Sequence, residues 1–152
     1  MNKYLVLLII CLSSQQISAQ QPGTEIESVK KVITQLFDGM RKGDSSMVAA
    51  TFSQGIVMQT VTGSGTNTKV RTGNPADFLK FVAAPQKDIP DERITFDNVL
   101  VDADLATAWT SYKFYLGDKF SHCGVNSFTL VKEAGKWKIL HLIDTRRKEN
   151  CN

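Results

Sequence analysis

Between residues 94 and 145 the chain is almost continuous strand, and that run constrains the fold more than any other feature. Residues 94–101, 105–116, 120–132 and 137–145 are rich in β-branched and aromatic side chains. Only short punctuation separates them: Asp102-Ala103-Asp104, Gly117-Asp118 and Ala134-Gly135. Connections that short turn each strand back along its predecessor, so the second half reads as a four-stranded antiparallel meander. A meander with one apolar face needs a cover.

The first half supplies that cover. Thr24 followed by Glu27 reads as a capping box, and Ile26, Val29, Ile33, Leu36, Phe37 and Met40 then recur at three and four, one apolar stripe along a helix. Arg41 and Lys42 suit its last turn and Gly43 stops it. Asp44 or Ser45 caps a short second helix carrying Met47, Val48, Ala50 and Phe52. Residues 56–61 and 69–72 are two short strands around the turn Gly63-Ser64-Gly65. Asn74-Pro75 opens a third helix, with Phe78, Leu79, Phe81 and Val82 inward, and Pro85 closes it. Residues 87–93 are read as a charged loop. The fold class is α+β: three N-terminal helices packed on the concave face of a curved antiparallel sheet.

Residues 1–19 stand apart. Lys3, an unbroken apolar run over 4–12 and Ala19 have the order of a cleaved secretory signal, and the run is too short for a membrane span. Acylation at Cys11 is the rival, but Leu8-Ile9-Ile10 lacks the small residues that precede an acylated cysteine. The expected product is exported, periplasmic or secreted, and consists of one domain over 20–152. Loss of Lys3 takes the formal charge from +3 to +2, which argues for neither a nucleic acid nor a membrane partner. The cluster Arg146-Arg147-Lys148 reads as a solvated strand end. Cys123 and Cys151 remain, an even count that permits one disulfide in an oxidising compartment. No paired Cys-x-x-Cys spacing suggests a metal, and nothing calls for a cofactor.

Residues 37–58, with Gly43-Asp44, Phe52 and Gly55-Ile56-Val57, and the segment Gly135-Lys136-Trp137-Lys138-Ile139 resemble the nuclear-transport-factor-2-like superfamily. The superfamily includes ketosteroid isomerases, polyketide cyclases and scytalone dehydratase. The stretch 121–147 is also similar to a bacterial branch labelled lumazine-binding. The resemblance implies a cone-shaped sheet, a pocket between helices and the concave face, and a homodimer through the convex face. It does not imply one activity, because the fold hosts many.

Register narrows the candidate site. With Ala134-Gly135 as a two-residue turn, Glu133 opposes Lys136, and His122, Asn126 and Phe128 share a face with Trp137, Ile139, His141 and Ile143. The same alternation puts Trp109 opposite Asn126. That face is assigned to the concave side, so Trp109, Asn126, His141 and His122 are the expected ligand-binding residues, with Phe128, Ile139 and Phe37 as walls. His122 and His141 lie roughly 20 Å apart along the sheet and cannot share a proton. Val125, Val131, Leu140 and Leu142 fall on the convex face. No acid falls on the concave face of the last two strands in this register, so His141 is the best candidate for general acid–base work. The leading expectation is a pocket for a flat, mostly apolar small molecule. A lyase or isomerase using His141 and a non-catalytic dimerisation module are the alternatives. Cys123, opposite Arg146, is within reach of a returning Cys151.

Overall fold

The computed structural model describes residues 22–151; the expected signal peptide lies outside the described residues. Helix α1 (Pro22–Lys42) and the short α2 (Ser45–Ala49) lead into β1 (Phe52–Thr62), β2 (Lys69–Gly73) and α3 (Pro75–Ala83). Four long strands follow: β3 (Pro90–Asp102), β4 (Leu105–Leu116), β5 (Lys119–Glu133) and β6 (Lys136–Thr145). They form one six-stranded sheet in the order β2-β1-β6-β5-β4-β3.

The meander forms as its turns dictate, with Asp102 opposite Leu105, Leu116 opposite Lys119 and Glu133 opposite Lys136. The sheet is nevertheless mixed. β1 lies parallel to β6, which corrects the expectation of a wholly antiparallel sheet. Every strand of the meander is joined to the next by a hairpin, so its directions alternate. The chain reaches β1 through helices instead, and nothing ties its direction to that of β6.

Local signals account for most boundaries. Asp44 caps α2 by accepting from the Met47 amide at 2.8 Å, and Asn74 caps α3 by accepting from the Ala76 amide at 2.9 Å. The start of α1 differs from expectation: the helix is already running at Thr24, so Thr24 is not its cap. Glu25 accepts instead from Lys132 Nζ at 2.8 Å and Trp137 Nε1 at 2.7 Å. These two bonds, that of Lys132 first, hold its carboxyl below the usual range and tie the helix start to the β5–β6 turn. The apolar stripe of α1 is buried as predicted. Val29, Ile33, Leu36, Phe37 and Met40 pack over Ala106, Ala108, Phe128, Leu130 and Ile139, with Phe37 edge-on to Phe128 at 6.3 Å.

Two features displaced residues from their expected positions. Residues 90–93 belong to β3 rather than to a loop, because their charges alternate outward. Pro90 is buried, Asp91 accepts from Arg41 and Arg93 (both 2.7 Å), and Arg93 lies over the Tyr115 ring. Glu92 is thereby turned inward. The meander also carries bulges, each an extra residue that reverses the faces beyond it. One falls at Asp97, one at Ser121 and one at Leu140. Past Leu140 the register slips by one, so that Thr129 opposes His141 and Asn126 opposes Asp144. Gly124, a residue type that often marks a bulge, pairs with Tyr112 without a break.

Candidate functional site

The inner face of the sheet, α1 and α3 enclose two adjoining chambers. The inner one, of about 340 Å³, has apolar walls from Leu36, Phe37 and Met40 of α1, Phe78 of α3, Met58 of β1 and Leu142 of β6. The outer one, of about 690 Å³, opens past Phe81, Phe114 and His122 to Arg146, Arg147 and Lys148. Met40, Phe78, Glu92 and Arg146 border both. Both volumes fall within the range of about 300–1,000 Å³ usual for small-molecule sites.

Several polar groups of this cavity, joined by Tyr112, form a seam across five strands. From β3, Glu92 Oε1 accepts from Asn126 Nδ2 of β5 at 2.8 Å. From β6, Asp144 Oδ1 accepts from Thr60 Oγ1 of β1 at 2.5 Å, and Asp144 Oδ2 accepts from Arg146 Nε at 2.9 Å. Tyr112 of β4 reaches over β5: its hydroxyl donates to the Thr145 carbonyl at 2.7 Å and stands 3.3 Å from Asp144 Oδ2. Gly124 makes that crossing possible. A Cβ there would lie 1.8 Å from the Thr145 carbonyl oxygen and 2.7 Å from the Tyr112 ring.

The seam perturbs its members differently. Glu92 is half-buried between the two chambers, and its removal from bulk water pushes its carboxyl up to about 7. The bond from Asn126 opposes that rise, the nearby charge of Asp144 adds to it, and Arg146 opposes it. Burial, then Asp144 and Glu92, raises the Tyr112 phenol, which stays a donor at neutral pH. His122 is lowered, by burial first and by Arg146 second, so a neutral ring faces the outer chamber. Its Nδ1 lies 3.0 Å from Ser121 Oγ, and its ring packs on Phe114 at 4.9 Å. Among the described residues, no three His, Cys, Asp or Glu side chains gather as metal ligands.

The four residues expected to share a pocket are divided by the bulges. Asn126, almost fully buried, lines the inner chamber, and His122 lines the outer one. His141 sits beyond the Leu140 bulge on the outer face, with its Nε2 3.0 Å from Gln59 Oε1. Trp109 pairs with Ser127 rather than Asn126, because the Ser121 bulge shifts the β4–β5 register, and its side chain is 50% exposed on the outer face. Phe128 and Ile139 are fully buried core rather than cavity walls, whereas Phe37 does line the cavity. Leu142, expected outside, faces inward. The same slip brings Asp144 to the helix-covered face, where no acid was expected. Glu92 was hidden differently, inside an apparent charged loop; the strict in–out alternation of Pro90, Asp91, Glu92 and Arg93 was the signal that could have found it.

A family profile described as "Putative lumazine-binding" matches residues 24–142. The chain belongs to that family. Solved structures set this lumazine-binding-like domain within the nuclear-transport-factor-2-like fold. An NTF2-like protein of unknown function from Shewanella baltica superposes with a TM-score of 0.67 at 16% identity, covering 85% of this chain and 98% of the other. A domain of unknown function with a cystatin-like fold from Nostoc punctiforme gives 0.63 at 20% identity, over 84% and 80%. A protein described as a putative dehydratase of the NTF2-like family from Streptomyces avermitilis gives 0.61 at 17%, over 84% and 99%. At these identities the likeness is one of fold. Curated proteins provide no match.

Proposed function

We propose that this lumazine-binding-like domain is exported and holds a small, largely apolar molecule in the two chambers, oriented by the Glu92–Asn126–Asp144 seam. The carrying observation is the half-buried carboxyl of Glu92, bordering both chambers amid apolar walls. The family description supports ligand binding, and the Cys123–Cys151 disulfide suits an oxidising compartment. Native mass spectrometry of the purified protein should detect a retained small molecule. Met58→Trp, which fills the inner chamber, should lose it; retention unaffected by the filling would sink the reading.

Glu92 also favours a second reading, proton transfer in a lyase or isomerase, with Glu92 in the role first given to His141. A carboxyl poised near neutrality can take a proton and return it. The Streptomyces avermitilis neighbour described as a putative dehydratase is compatible with such chemistry. Glu92→Gln would then keep binding while losing turnover.

The stability of the protein tests the state of Glu92 without any ligand. Its folded pKa, about 7, exceeds the ordinary 4.5, so the folded state holds the proton more tightly. The contribution is fully present below pH 4.5 and is lost as pH rises through about 7. Wild type should lose on the order of 2 kcal/mol across that window relative to Glu92→Gln. Parallel urea midpoints for the two proteins from pH 4.5 to 8 would contradict it.

A second copy of this chain is the proposed occupant of the outer face, where Leu100, Leu105 and Trp109 are each at least half exposed. Sedimentation equilibrium at tens of micromolar should give a dimer, and Trp109→Lys a folded monomer. A monomeric wild type would refute the dimer.

A further inference from the structure

We propose that the outer chamber selects amphipathic anions: molecules with an aromatic or aliphatic body and one carboxylate, sulfonate or phosphate, the anionic group set against Lys148. This rests on the small-molecule reading above and names the ligand class it takes.

The chamber is asymmetric in charge. Its apolar side is Met40, Phe78, Phe81, Phe114 and Leu116, with Phe78 and Phe81 stacked at 6.5 Å. Its other side is the run Arg146-Arg147-Lys148, and Glu92 is the single carboxyl group among the lining residues. Arg146 is already paired with Asp144. Arg147, hydrogen-bonded directly opposite Cys123, turns its side chain to the other face, where its Nε donates to the Asn150 carbonyl at 3.2 Å. Among the described residues no carboxylate lies within ion-pair distance of Arg147 or Lys148; Glu149, next in the chain, is not part of the lining. His122, neutral beside them, adds no opposing charge. Among the described residues, Lys148 is therefore a cation without a carboxylate partner at the border of an apolar chamber of about 690 Å³. An anion there gains charge-assisted hydrogen bonds while its body leaves water.

A solvated strand end would explain basic residues that wander. These are held. Cys123 and Arg147 exchange backbone hydrogen bonds of 2.9 Å in both directions. Three residues on, Asn150 turns the chain with φ of 53°, and Cys151 bonds back to Cys123. The tail is thus clipped to the rim at two points on one residue of β5, with Lys148 between those points. A rigid cationic rim costs less to organise around an anion than a free tail.

A matched pair of fluorescent probes separates charge from shape. 8-Anilinonaphthalene-1-sulfonate and N-phenyl-1-naphthylamine share their ring system and differ by the sulfonate. The expected result is at least about tenfold tighter binding of the sulfonate by the wild-type protein, weakened by salt. Lys148→Gln should bring the two probes within about twofold while leaving the neutral probe unchanged, and Arg147→Gln, on the other face, should not. Phe81→Ala, at a half-exposed position, should weaken both. Equal affinities in the wild type, or a preference that survives Lys148→Gln, overturn the anion proposal and leave the cavity standing. Binding of neither probe to folded protein, or binding indifferent to Phe81→Ala, overturns the cavity reading and this proposal with it.

Discussion

Replacing Gly124 with alanine is expected to destabilise the protein by about 3 kcal/mol or more and to dismantle the polar seam, for one added carbon. The reason lies in the crossing of Tyr112. Its ring lies against β5 at Gly124, the residue it pairs with, so that its hydroxyl can reach the Thr145 carbonyl on β6 at 2.7 Å. The methyl carbon of alanine would stand 1.8 Å from that carbonyl oxygen and 2.7 Å from the ring. The nearer obstacle is backbone, so no rotamer change relieves it, and the strands must part. Parting them separates Tyr112 from Asp144 and Asn126 from its place beside Asp144. Urea denaturation gives the stability, and Tyr112 absorbance or fluorescence reports the ring. Tyr112→Ala combined with Gly124→Ala should not recover the loss, because the backbone contact remains. A cost under about 1 kcal/mol for Gly124→Ala would mean that β5 and β6 approach each other less closely there.

Breaking the Cys123–Cys151 bond is expected to cost about 3 to 4 kcal/mol in the chain-entropy model, large for a domain of this size. The bond joins residues 28 apart in sequence, with Cα atoms 5.7 Å apart, and it closes the loop containing all of β6. Cys151→Ser and chemical reduction should lower the urea midpoint by the same amount, and reduction should add nothing to the variant. Equal midpoints for oxidised and reduced wild type would rule out the bond as a stabilising element. The substitution should also halve, at least, the sulfonate preference of the outer chamber, since one of the two ties on the basic tail is gone. Stability and selectivity thus share a single covalent link at the cavity rim.

These expectations depend on features of unequal visibility in the sequence. The stripe Val29, Ile33, Leu36, Phe37 and Met40 announced a buried helix face because a period of 3.6 needs no partner to be read. Ala134-Gly135 announced its hairpin because the glycine accepts positive φ, here 76°, and draws Ala134 to 47° beside it. The cap at Asn74 and the stop at Pro85 are equally local. Asn126 and His122 were found on the cavity side because the alternation of β5 holds between them. His141 and Trp109 were misassigned because each lies across a bulge from the turn that set the register. Glu92 went unseen because charge in a short segment looks like solvent exposure. It is a strand end clamped by Arg41 and turned inward at every second residue.

By itself, then, the sequence determined the elements, their order and the α+β class, together with the interior-facing side of α1 and β5. Periodicity, capping and turn chemistry act over a few residues and leave a local trace. Only the tertiary structure decided that Asp144 joins Asn126 and Glu92 in one cavity, that β1 docks parallel on β6, and that Cys151 returns to Cys123. A bulge is a property of two strands in contact. One extra residue at Leu140 is accommodated between β5 and β6, and it inverts every side chain that follows, which no reading of either strand alone contains.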